Sequence, residues 1–161
     1  MIDEISQKIL HILQEKARIP NVEVARQVGL TPSAVLERIR KLEKSGIIDG
    51  YEVKLNPRMF DRNFLSFAWV YPEKTDEGKV AETLALIPEI QEVHFISGED
   101  CYFIKIRTSG PEALKRILQD RIRKIEGVMA TKTHTVLDTF KETSKIPIDS
   151  MPDMKTDTDQ E

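Results

Sequence analysis

The chain has 161 residues, 32% of them charged and 6% aromatic, with 24 Lys and Arg against 27 Asp and Glu for a net charge of −3. That length holds one ordinary domain or two small ones, and the composition excludes collagen-like, coiled-coil-only and wholly disordered classes. No apolar run approaches the roughly 20 residues of a membrane-spanning helix.

The N-terminus, MIDEISQKIL, lacks the basic-then-apolar pattern of a secretory signal. The single cysteine, Cys101, has no partner for an internal disulfide, which fits a reducing cytoplasm. Charge is unevenly spread: residues 1–62 carry +2, residues 63–145 carry −1, and residues 146–161 carry −4. The last segment, IPIDSMPDMKTDTDQE, has no hydrophobic periodicity and is expected to be a disordered acidic tail.

Residues 1–48 carry a three-helix pattern. Ile5, Ile9, Ile12 and Leu13 repeat at helical spacing between Asp3 and Lys16. After Pro20, with Asn21 expected as N-cap, Val22, Ala25 and Val28 mark a short second helix. Gly29 suits the left-handed position that closes it. Thr31-Pro32 then pairs a hydroxyl N-cap with proline at the first helical position, and Val35, Ile39 and Leu42 form the apolar stripe of a third helix ending at Gly46. Two helices across so tight a turn have helix-turn-helix spacing. Ile47 and Ile48, then Tyr51, Val53 and Leu55 alternating with charges, predict a short hairpin turning at Asp49-Gly50. With it the unit is a winged helix, followed by a linker at 56–63.

Residues 64–137 repeat strand, helix, strand twice, with strands at 64–71, 92–97, 102–107 and 128–137 and helices around Val80 and over 111–125. This order predicts a ferredoxin-like sandwich, four strands backed by two helices. The fold class is therefore α+β, with domains at 1–55 and 64–145. Phe64, Leu65, Phe67, Ala68, Trp69, Val70 and Tyr71 leave almost no polar alternation in the first strand. Both its faces are expected to be buried, the second by another copy of the chain.

Around the third helix at 100° per residue, Ser33, Glu37, Arg40, Lys41 and Lys44 fall opposite the apolar stripe. Cations for phosphates and guanine edges, with Ser and Glu for base edges, suit a reader of the DNA major groove. The turn residues Ser97, Gly98, Glu99, Asp100, Cys101 and Tyr102 combine a glycine, two carboxylates and strand-end amides, a set that would take both ends of a small amino acid. A plain polar turn remains open beside that reading. His11, His94, His134 and Cys101 make no metal spacing, so no metal is expected. No phosphate loop, nucleophile elbow or HExxH motif occurs, and no enzyme is expected.

The runs VEVARQVGLTPSAVLERIRKLEKSGIIDGYEVKLNP, SGEDCYFIKIRT and GVMATKTHTV together resemble the Lrp/AsnC (feast/famine) transcription regulators over nearly all the chain but its tail. The resemblance implies a winged helix-turn-helix joined to an effector-binding and oligomerising αβ-sandwich, the RAM domain. It also implies dimers that assemble further, for instance into octamers, on palindromic double-stranded DNA, with amino-acid effectors bound between dimers. By position, Thr31, Pro32, Ser33, Ala34, Glu37, Arg38, Arg40 and Lys41 fall on the recognition helix, with Lys44 beside them on the same face. Residues 97–102 fall on the effector turn, and Thr133, His134 and Thr135 on the last strand near it. Cys101 stands where many relatives carry an aspartate, which leaves Asp100 or Glu99 to meet an effector's ammonium. His134 stands where some relatives have tyrosine. Two alternatives share this architecture: an enzyme similar to siroheme decarboxylases, and an amino-acid-binding module without DNA activity.

Overall fold

A computed structural model describes residues 2–75 and 78–148. The expected acidic tail lies outside the described residues from Asp149 onward. The chain divides into two compact units, one of Met1–Lys54 with Thr143–Glu161 and one of Leu55–Glu142.

In the first unit, α1 spans Glu4–Glu15, with the Asp3 carboxylate accepting from the Ser6 amide at 2.8 Å as N-cap. α2 spans Asn21–Val28. It begins one position earlier than expected, because the Pro20 carbonyl already accepts from the Glu23 and Val24 amides, so Pro20 is the N-cap and Asn21 lies inside the helix. Gly29 closes α2 at φ 71°, a conformation that costs an L side chain about 1–2 kcal/mol. α3 spans Pro32–Lys44, capped by Thr31, whose hydroxyl accepts from the Ala34 amide at 3.3 Å. Ile9, Leu13, Val24, Ala25, Val35 and Ile39 form the core of the three helices.

The hairpin expected over 47–55 does not form: residues 47–56 contain no strand. Its first arm is consumed by the end of α3, since the Ile47 and Ile48 amides both donate to the Leu42 carbonyl, at 3.0 and 3.1 Å. The chain reverses at Gly46, at φ 71°, whereas neither Asp49 nor Gly50 takes the positive φ that a two-residue type I′ hairpin demands. Tyr51 is held by its hydroxyl, which donates to Glu43 on α3 at 2.9 Å, and Val53 is left 83% exposed.

Chain beyond the sheet returns to α1 in this unit. The Gln14 side-chain amide donates to the Ile146 carbonyl at 3.1 Å and accepts from the Ile146 amide at 2.8 Å, and Lys145 pairs with Glu15 at 2.7 Å.

The second unit opens on a 3₁₀ turn at Pro57–Phe60. It then runs β1 (Phe64–Pro72), α4 (Lys79–Ala85), β2 (Ile90–Ile96), β3 (Cys101–Thr108), α5 (Pro111–Arg116) and β4 (Val128–Thr135). The sheet is wholly antiparallel in the order β2-β3-β1-β4, the arrangement a doubled βαβ produces. The helix expected over 111–125 is α for its first half only; a π turn at Ile117–Arg121 and a 3₁₀ turn at Ile122–Lys124 complete it. The change of winding still buries Leu114, Ile117 and Ile122 against the sheet.

One sheet face lies under the helices, with Ala68, Val70, Ile104 and Ile106 against Val80, Leu84 and Ile87. Ser66 shares that face, fully buried, and its hydroxyl has no partner among the described residues. Burying an unsatisfied hydroxyl is unfavourable. Ser66→Ala is therefore expected to raise the unfolding free energy by about 1 kcal/mol, read as a higher urea midpoint. A lower midpoint would mean that the hydroxyl is bonded in solution.

On the other face Phe67 stacks on Phe103 with ring centroids 5.2 Å apart, and Trp69 meets Phe103 and His134 edge-on at 4.7 and 5.0 Å. Lys105 and Arg107 extend along this face, both ion-paired to Glu142, and Lys105 also to Glu92. Within one chain Phe67, Trp69 and Tyr71 are half-buried, so the second face of β1 is covered in part and not fully.

Candidate DNA interface and effector turn

α3 is placed by its N-terminal end and its buried side. Gly29 sets the turn from α2, and the Thr31 cap with Pro32 starts the helix, while Val35, Ile39 and Leu42 bury one side. Ser33, Glu37, Arg40, Lys41 and Lys44 lie exposed on the other side, as expected. The described residues offer Arg40 and Lys44 no hydrogen-bond or ion-pair partner. Lys41 pairs with Glu37 at 3.0 Å, which lowers the Glu37 carboxyl below its ordinary range. Thr31 and Ser33 share a hydroxyl hydrogen bond at 3.1 Å at the helix start. Pro32 is exposed and Ala34 half-buried.

Arg38 differs from these. Its guanidinium is half-buried and donates to the Asp3 carboxylate and, at 3.2 Å, to the Ser6 hydroxyl, binding α3 to the start of α1. It is placed as a strut that sets the orientation of α3, a role that spacing on α3 alone does not reveal. The Ser6 amide first, then Arg38 and the Ser6 hydroxyl, hold the Asp3 carboxyl down at about 2, against 3.8 for a free aspartate. A depressed carboxylate contributes stability that is whole above pH 3.8 and is lost as pH falls through about 2. Because the Asp3 side chain is half exposed, solvent limits that contribution to about 1 kcal/mol. Arg38→Ala is expected to remove part of that contribution at neutral pH, because the Ser6 amide still holds the carboxylate, and to flatten the acid limb of the stability curve to that extent. An unchanged acid limb, measured by circular dichroism, would show that the strut contributes nothing.

The β2–β3 turn occupies residues 97–100, with Gly98 at φ 96° and Asp100 at φ 49°. Register pairs Ile96 with Cys101 and Val70 with Tyr102, which sets Tyr71 beside Cys101 on the open sheet face. The Tyr71 hydroxyl donates to Glu99 at 2.7 Å, and that bond raises the phenol's pKa. Cys101 is fully buried, and burial, with Glu99 and Asp100 nearby, pushes its thiol up, away from any nucleophilic role. Tyr102 points to the helix side, edge-on to Phe95 with centroids 5.5 Å apart. Asp100 has no partner among the described residues. Tyr71 is not legible as a site residue in the sequence, because only the β1–β3 register brings it to the turn.

Thr133, His134 and Thr135 do not lie near the turn within one chain. They pair with Ala68, Phe67 and Ser66, from the middle of β1 toward its opposite end, and the β4 residue across from Tyr71 is Ala130. At about 3.4 Å per residue, Thr135 stands roughly 17 Å along the sheet from Tyr71. His94 and His134 sit on β2 and β4, the opposite edges of the sheet, and do not converge on a common pocket. Among the described residues no three His, Cys, Asp or Glu come together as metal ligands. Among them, too, no helix is long and apolar enough to cross a membrane.

Residues 2–49 match the family profile described as winged helix-turn-helix DNA-binding, and residues 65–146 match the one described as the Lrp/AsnC ligand binding domain. The chain belongs to the Lrp/AsnC family. The leucine-responsive regulatory proteins of Escherichia coli and Salmonella typhimurium are each 34% identical to it over 152 residues, covering 91% of this chain and 92% of theirs. A transcriptional regulator from Neisseria meningitidis, solved as its complex with L-methionine, superposes with a TM-score of 0.87 at 28% identity, over 91% of this chain and 97% of that one. The feast or famine regulatory protein of Mycobacterium tuberculosis, complexed with L-methionine, gives 0.84 at 28% identity, over 91% and 99%. As an Lrp/AsnC protein the chain is a DNA-binding transcription regulator, and the matched relatives are regulators and not enzymes. The helix-turn-helix and the αβ-sandwich are the family's two halves, and the unformed wing is a local feature of residues 47–56.

Proposed function

We propose that this regulator reads a palindromic operator with α3, from a dimer or higher oligomer such as an octamer, in the cytoplasm. Residues 1–55 serve as the reading unit, 56–63 as the linker, and 64–145 as the effector-binding and oligomerising unit. The observation that carries this reading is the pair of unpartnered cations, Arg40 and Lys44, on the exposed side of α3 among the described residues. Ser33, Glu37 and Lys41 face DNA with them, Thr31, Pro32 and Ala34 set the helix start against the backbone, and Arg38 orients the helix. One such module reads few base pairs, and a two-fold pair about 34 Å apart would give the specificity one lacks.

We infer further that a small amino acid binds at the β2–β3 turn. Its ammonium would meet Asp100, since Glu99 already accepts from Tyr71, and its carboxylate the amides around Gly98. Cys101 and Tyr102 support the turn from below. Thr133, His134 and Thr135 would contribute from a second copy, because within one chain they are too distant. That relatives were solved with L-methionine supports this class of ligand.

The test pairs two measurements. The chain is expected to shift the mobility of DNA from upstream of its own gene at low salt, and at least one of the twenty amino acids is expected to raise its melting temperature. No mobility shift would retire the regulator reading for this chain. Asp100→Asn should abolish the thermal response while leaving DNA binding intact, and a retained response would move the ammonium to another carboxylate.

A further inference from the structure

The segment returning to α1 anchors the start of a strongly charged stretch of sequence to the DNA-reading unit. Gln14 grips the Ile146 backbone through both of its hydrogen-bonding groups, and Lys145 pairs with Glu15 beside it. Everything after Ile146 therefore starts from a tether on α1. Residues 147–161 carry five carboxylates, Asp149, Asp153, Asp157, Asp159 and Glu161, against one Lys155, with two prolines and no apolar periodicity.

The reach from that tether can be bounded. α1 rises about 17 Å from Gln14 back to Asp3, where Arg38 is bonded, and α3 rises about 9 Å from Arg38 to Lys44. With a side-chain length for Arg38 added, the path is roughly 35 Å. A chain the length of residues 147–161 spans up to about 50 Å. The tail can lie along the cationic side of α3, and Arg40 and Lys44 there lack partners among the described residues.

We propose that the acidic tail docks on the DNA-reading side of α3 and competes with DNA for Arg40 and Lys44. The proposal rests on α3 being the reading helix. A tether this short gives an effective concentration in roughly the millimolar range, so even a weak contact between carboxylates and cations is populated. Because the contact is exposed and purely electrostatic, it fades as salt shortens the screening length. The tail would thus act as a threshold that sets how strongly a site must bind before it is occupied.

Three forms are compared by fluorescence anisotropy on one labelled duplex from upstream of the gene: the full chain, a chain ending at Ile148, and a full-length chain with Asp149→Asn, Asp153→Asn, Asp157→Asn and Asp159→Asn. The shortened and neutralised chains both keep the Gln14 and Lys145 contacts. Each is expected to bind about threefold to tenfold more tightly than the full chain at low salt, with the gap closing at high salt. Equal affinity of all three forms overturns the proposal, and so does a gain on truncation that neutralisation does not reproduce. A second measurement does not depend on DNA. A spin label at Thr156→Cys, in a Cys101→Ser background, is expected to broaden the amide signals of α3 around Arg40 and Lys44. If no form binds DNA, the reading-helix assignment fails, and the label then decides: unbroadened α3 signals overturn tail docking as well.

Discussion

Replacing Arg40 and Lys44 together by alanine is expected to weaken operator binding by roughly 10- to 100-fold at about 0.1 M salt. The slope of log affinity against log salt should fall by about one for each phosphate no longer neutralised. Neither side chain is packed or paired among the described residues, so the double variant should unfold within about 0.5 kcal/mol of the parent chain. That separation is the value of the experiment. A loss of binding without a loss of stability belongs to the DNA interface and not to the fold. Arg40→Ala alone distinguishes two modes of contact: changed preference among duplexes marks a base contact, and a uniform loss marks a phosphate contact. Lys41→Ala should weaken binding less, because Lys41 in the free protein is already engaged with Glu37. Arg38→Ala should act through a different route, lowering stability by releasing α3 from Asp3 and Ser6. Unchanged affinity and unchanged salt slope in the double variant would remove α3 as the reading element.

Truncating Ile104 to alanine is expected to cost the sheet unit about 3 kcal/mol. Ile104 is fully buried on β3, a central strand, paired with Ala68 on one side and Val93 on the other. It belongs to the cluster that includes Leu84, Ile87 and Ile117 on the helical layer. Removing its outer carbons forfeits their transfer free energy and leaves a space that a paired central strand cannot collapse to fill. Trp69, the only tryptophan, lies on β1 in this unit, so urea unfolding followed by its fluorescence reports the right part of the chain. Phe140→Ala supplies the contrast. Phe140 is 94% exposed, and its truncation should change the unfolding free energy by less than about 0.5 kcal/mol. A cost under about 1 kcal/mol at Ile104 would contradict a tightly packed helix–sheet layer.

Much of the fold is legible because its signals are local. Thr31-Pro32 and Gly29 act within one turn of themselves, and each caps or closes the helix expected of it, whereas Asn21 lies inside the helix it was expected to cap. The doubled strand-helix-strand order likewise follows from periodicity along single segments, and the sheet order β2-β3-β1-β4 follows from that order. The hairpin over 47–55 misleads for the same reason. Alternating Tyr51, Val53 and Leu55 describe a strand, but a ladder needs a partner, and the Ile47 and Ile48 amides are already spent on the Leu42 carbonyl. The helix over 111–125 keeps its buried residues without regular winding, which periodicity at this length does not distinguish.

The sequence by itself determined the two-part architecture, the family and the cationic character of α3, because caps, periods and charges are properties of neighbours along the chain. Only the tertiary structure decided which of those cations are open to a partner. Arg38 and Arg40 are two residues apart on one helix, yet one is bound to Asp3 from another helix and the other is exposed to solvent. Tertiary pairing also brought Tyr71 to Glu99 and carried Thr133, His134 and Thr135 away from the turn. Strand register sets those distances, and register depends on which strands pair across the sheet, not on residue types in any one of them.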